Sequence, residues 1–261
     1  TIKQRFCNSF WGLIMSLEVN NSCLDAHHVS RKSIWDIFSH ELMHHLPYGT
    51  LSVACALMLL SMVSVFFVSH DASSLAHHAH DHAHDGSCGL SSGMDILFHS
   101  FHFTHILFAA SGAMVTFYRY SKNVAAGVVI GIASSVVFCT LSDILLPYAA
   151  GTLLGVEMDL HICFSSELSN ILPFLIVGVM NGLIISRGKE EHADAHSVSL
   201  HFFHTFISAM ASIFYAIGHG LPDFYAYFGM FFMLMLVAVV IPCTLSDVVV
   251  PVIWARMVQK K

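Results

Sequence analysis

From Val124 to Pro147 the chain reads VAAGVVIGIASSVVFCTLSDILLP, twenty-four residues with one carboxylate and no lysine or arginine. About twenty apolar residues let an α-helix cross the hydrocarbon core of a bilayer, where only helices and closed barrels satisfy every backbone N–H and C=O. Runs of this kind recur along the 261 residues, and only 11% of the chain is charged. Soluble domains carry about 25%, so the chain belongs to the all-α integral membrane proteins. Six transmembrane helices are expected, at roughly 46–68, 97–118, 124–147, 170–186, 199–218 and 224–254, the last with a kink at Pro242. The apolar stretch FCNSFWGLIMSL at 6–17 is too short to span and suits an interfacial or packed helix.

Basic residues set the orientation. Arg31 and Lys32 precede the first span, Arg119 and Lys122 separate the second and third, and Arg187 and Lys189 follow the fourth. Arg256, Lys260 and Lys261 follow the sixth, whereas the loops 69–96, 148–167 and 219–223 contain no lysine or arginine. Every basic segment falls on one side if both termini are cytoplasmic. A plasma (inner) membrane location follows, with the loop 69–96 on the non-cytoplasmic side.

The sequence also repeats itself. CTLSDILLP at 139–147 recurs as CTLSDVVVP at 243–251, HSFH at 99–102 as HFFH at 201–204, and ELMHHLPY at 41–48 as ELSNILPF at 167–174. The three motifs come in the same order, which argues for an internal duplication. The organisation expected is an N-terminal segment 1–39, a first three-span repeat 40–155 and a second 156–261. Three spans is an odd number, so the two repeats must be inserted in opposite orientations. Inverted-topology repeats are typical of secondary transporters, whose sites lie at the interface between the halves.

Histidine is the compositional anomaly, with 20 residues against 11 lysines and arginines. The repeats sort the ionisable groups into an outer set, His99, His102, His105, Asp143 and Glu167, and a cytoplasmic set, His40, Glu41, His44, His45, His201, His204 and Asp247. Cys139 and Asn170 accompany the first set and Cys243 the second. H-x-x-H on a helix places both imidazoles on one face, and a nearby carboxylate completes a ligand set for zinc, iron, manganese or nickel. The two sets are expected as separate access and exit sites or as contributors to one central site. The loop 69–96 carries His77, His78, His80, His82 and His84, alternating with Asp81 and Asp85, in a context too polar to pack a core but able to chelate metal.

That tract resembles the His-rich loops of zinc transporters of the zinc-iron permease and cation-diffusion types. L-P followed by an aromatic residue near the start of one span, with S-D-x-x-x-P ending another, resembles multi-span heavy-metal exporters. Both resemblances rest on short motifs, and both imply metal transport.

Other functions stay open on the sequence. His40-Glu41-Leu42-Met43-His44 matches H-E-x-x-H, which on a helix gives two zinc ligands and a general base. The chain could thus be an intramembrane zinc metalloprotease, with Asp247 as third ligand in a manner similar to the site-two type. Against this, the second copy of the frame at Glu167 has Ser166 and Asn170 in place of both histidines. Paired transmembrane histidines can also ligate haem, and a channel or accessory subunit of a larger membrane complex, or a homo-oligomer, is compatible with the pattern. No basic patch with interleaved aromatics is present, so nucleic acid is not an expected partner. The seven cysteines form no C-x-x-C pair, which argues against a dithiol redox centre.

Overall fold

Helices run through all six apolar stretches in the computed structural model, which describes residues 34–75, 86–187, 193–220 and 228–259. Side chains at 44, 63–75, 86–92, 165–166 and 193–201 are not among those described. The stretch 6–17, the tract at His77–His84 and the side chains of His44 and His201 therefore lie outside the described set. Residues 1–37 and 38–261 are separate units, and the core belongs to the second.

The helices are α1 (Ile34–Leu75), α2 (Gly86–Tyr120), α3 (Val124–Thr140), α4 (Leu146–Leu153), α5 (Cys163–Ser166), α6 (Leu168–Arg187), α7 (Ala193–Gly218), α8 (Phe228–Thr244) and α9 (Val250–Gln259). The described residues contain no strand. Asn123 caps α3, its Oδ1 accepting the Ala126 N–H at 3.2 Å. At the far end of α4 the Gly155 N–H donates to Thr152 O and the Val156 N–H to Gly151 O, the double bond of a Schellman stop. Gly155 takes φ +77° to make that turn, a conformation costly for other residues. Helix α1 opens well before the E-L-x-x-x-L-P frame and runs past the expected span to Leu75, so part of the expected loop 69–96 is helical. In the second half the frame does open a helix, with α6 beginning at Leu168.

Among the described residues, four helical stretches are long and apolar enough to cross a membrane: His45–Met62, Val124–Leu153, Leu168–Arg187 and Phe228–Gln259. Phe202–Gly218, within α7, is a shorter apolar helix. Helices α2 and α7 carry the H-x-x-H motifs, and those histidines lower their hydropathy. They occupy the interior instead, packed along each other, with α2 also against α3, α6 and α9. Large apolar side chains face outward from α1 (Met58, Met62), α6 (Ile176, Met180, Ile184) and α8 (Met230, Met233), whereas Met235 is buried. An exterior of that kind suits lipid contact.

Close helix contacts depend on small residues. A Cβ on Gly178 would lie 2.6 Å from Leu107 O, and one on Gly182 would lie 2.8 Å from Ser111 O, so α6 touches the α2 backbone. Ser111 Oγ also donates to Gly178 O at 2.9 Å. On the other side Ser52 of α1 meets Thr205 of α7, hydroxyl to hydroxyl, at 2.8 Å. The first helix of each half thus bonds to the middle helix of the other. Gly127 and Gly131, spaced as G-x-x-x-G, pack α3 on Met114 and Ala110 of α2.

Gly182→Leu should push α6 off α2 and lower the thermal midpoint of detergent-purified protein by an amount equivalent to about 1–3 kcal/mol. Gly229→Ala, with nothing within 4 Å of the added carbon, should leave it unchanged in the same scan.

Candidate metal centre

Each copy of C-T-L-S-D-x-x-x-P folds as an α-helix interrupted by one π turn, at Leu141–Leu145 in one half and Leu245–Val249 in the other. Proline explains it. Pro147 and Pro251 lack an N–H and would clash with the carbonyl four residues back in a regular helix. The backbone widens instead, and the Leu146 N–H reaches Leu141 O while the Val250 N–H reaches Leu245 O. This leaves the carbonyls of Ser142 and Ser246 without a helical donor, because the residue five further on is the proline. Serines from neighbouring helices supply it: Ser212 Oγ donates to Ser142 O at 3.0 Å, and Ser134 Oγ to Ser246 O at 3.0 Å.

The widened turns carry Asp143 and Asp247 into the interior against α2 and α7. Asp143 is fully buried, and two donors reach each of its oxygens. His102 Nδ1 and His105 Nδ1 donate to Oδ2 at 2.9 and 2.7 Å, and Ser142 Oγ and Ser208 Oγ to Oδ1 at 2.7 and 3.0 Å. Four donors fill the acceptor capacity of an ionised carboxylate and leave no place for a proton. On the other half His204 Nδ1 donates to Asp247 Oδ2 at 2.5 Å. Asp247 lies close against α2, a Cβ on Gly112 falling 3.1 Å from its carboxylate.

With both Nδ1 atoms donating, His105 and His204 each direct an Nε2 lone pair at the other, 2.6 Å apart. Two facing lone pairs repel unless a proton or a metal ion lies between them. Cys243 Sγ is 3.7 Å from His105 Nε2. The three groups are all buried, and their ligand atoms lie within 4.8 Å of one another. Carboxylate–imidazole pairs that fix the tautomer and aim Nε2 inward are the usual support of a metal-bound histidine. Two imidazoles and a thiol suit zinc. Opening the pair to roughly 3.3 Å would seat the ion at its usual Zn–N distance. A haem iron with two axial histidines needs about 4 Å between their nitrogens, and this pair is too close for one.

The other expected ligands lie elsewhere. Glu167 bonds Asn170 near the start of α6. His40 and His45 lie 3.8 and 3.5 Å from Glu41. Burial, and then the Glu41 charge, raise the pKa of Tyr120. Asp247, the expected third zinc ligand of the H-E-x-x-H motif, is hydrogen-bonded to His204. His99 joins a different group, with His161 and Cys163. Sequence reasoning missed His161 and Cys163 as ligands, because neither stands in a repeated or spaced motif, and it named Cys243 only as a companion of Asp247. Ser208 and Ser212 were missed too, since a serine in a span carries no signal until a carboxylate or orphan carbonyl is found opposite it.

Cobalt(II) should bind the purified protein with a thiolate charge-transfer band, and His204→Ala or Cys243→Ser should weaken this binding and diminish the band. Asp143→Asn and Asp247→Asn should each lower affinity about tenfold to a hundredfold, read by competition with a zinc chelator. No family model, no curated protein and no solved structure matches this chain.

Proposed function

We propose that the protein is a membrane transporter of a divalent transition metal ion, zinc foremost, that works by alternating access between two inverted three-helix repeats. In this reading six helices span the plasma (inner) membrane, both termini are cytoplasmic, and α2 and α7 are the inner spans. The observation that carries it is the Nε2–Nε2 contact between His105 and His204, one from each half, with a carboxylate behind each imidazole. A divalent ion between them would offset the charge of the two buried carboxylates, which a shared proton does only in part. The site lies where the halves meet, as expected of a repeat transporter. Paired π turns and reciprocal contacts of α1 with α7 and α6 with α2 support a common plan for the halves. Cys243 beside the pair favours zinc over manganese or magnesium. His40 and Glu41 lie near each other and neither belongs to the group of His105, His204 and Cys243, which supports transport over proteolysis.

Reconstituted into liposomes that enclose a zinc-sensitive dye, the protein should pass zinc, and Asp143→Asn or His204→Ala should reduce the rate at least tenfold. Glu41→Gln should pass zinc at the wild-type rate. Unaltered flux in the first two variants would overturn the proposal. Loss of cleavage of a transmembrane peptide in Glu41→Gln, with zinc binding intact, would establish the protease reading instead.

A further inference from the structure

A second cluster lies about one helical turn along α2 from His102, and only His99 of it belongs to a duplicated motif. It joins His99 of α2 with His161 and Cys163 from the segment between α4 and α6. A ring nitrogen of each histidine and the Cys163 sulfur fall within 4.8 Å of one another. The two histidines are part exposed and Cys163 is buried.

Both arms are held in place. His99 Nδ1 donates to Asp95 O at 2.8 Å, which fixes the tautomer and leaves Nε2 with its lone pair. The loop arm is tied to α7, where the His161 N–H donates to Tyr215 Oη at 3.1 Å and Tyr215 Oη donates to Asp159 O at 3.0 Å. The Asp159 N–H donates to His219 O at 3.0 Å, and the His219 ring stacks on Tyr215 at 4.2 Å. A connecting segment anchored at three points presents its ligands at little entropic cost on binding. Phe98, fully buried, contacts both His99 and His102.

We infer that His99, His161 and Cys163 form a second site for a divalent transition metal, distinct from the central site and open to solvent on one face. Two imidazole nitrogens and one thiolate sulfur, with the fourth position unfilled, make the ligand set of an exchangeable zinc site, water completing the coordination. His99 and His105 are six residues apart on α2, so the two sites lie about 9 Å apart along its axis. The inference rests on the geometry of these three residues and stands whether or not the protein transports metal.

Cobalt(II) titration of the detergent-purified full chain tests it, carried out throughout in a Cys88→Ser background, because a thiolate band reports only sites that contain sulfur and Cys88 stands four residues after His84 of the His-rich tract. The Cys243→Ser protein should retain a cobalt–thiolate band, and adding Cys163→Ser should abolish it. His161→Ala, placed in the same Cys243→Ser background, should shift the remaining isotherm to at least tenfold weaker affinity. Each variant should elute and melt as its parent does, and His161→Ala serves if the cysteine variant unfolds. A Cys243→Ser protein with no thiolate band, or one whose band survives both Cys163→Ser and His161→Ala, would overturn the inference. Zinc flux is not the readout, so failure of the transport proposal would leave this result standing.

Discussion

An ionised carboxylate deep among helices persists only if its lone pairs are filled, and Asp143 meets that condition with four donors from three elements. Removing any one would leave a buried charge or a buried donor short of a partner, which costs about 1–3 kcal/mol or more. The same bonds decide the chemistry of the centre. Because Asp143 and Asp247 take up the Nδ1 protons of His105 and His204, the opposite nitrogens are left as ligands. A capacity to bind metal there would thus be a by-product of how the carboxylates were made tolerable.

The carboxylates are where they are because of proline. In a regular helix the residues of L-S-D would continue the spiral of α3 or α8, and each carbonyl would find its donor four residues on. Pro147 and Pro251 forbid this, and the π turn that results gives up one hydrogen bond on each side. Ser212 and Ser134 recover it from different helices, α7 and α3. The sequence motif is duplicated while its supports are not, so each half has solved the same backbone problem with a different neighbour.

Much of this was legible in the letters. The apolar runs gave the helices, the five-residue identity C-T-L-S-D gave the duplication, and H-x-x-H with the aspartates gave most of the central cluster. The grouping was less accessible. Orientation by basic residues divided the ionisable groups into outer and inner sets, but His105 and His204 are neighbours in space although they fall in different sets. Distance along a span does not reveal that both motifs point at the axis between the halves. His161 and Cys163 were invisible for another reason, since a lone histidine and a lone cysteine in a connecting segment acquire meaning only when the chain folds back on His99. The H-E-x-x-H motif gave the opposite lesson, a well-formed local pattern whose expected distant partner is committed elsewhere.

The duplication is imperfect at one position that matters. By the register that pairs His102 with His204, the counterpart of His105 is Ile207, so the imidazole that meets His204 from one half has no matching histidine in the other. Two identical inverted halves would be equally content leaning either way, like a balance with matched pans. An imidazole that only one half supplies weights the balance. If the halves rock as the transport proposal holds, that unmatched histidine would give the resting state a preferred direction without any external force.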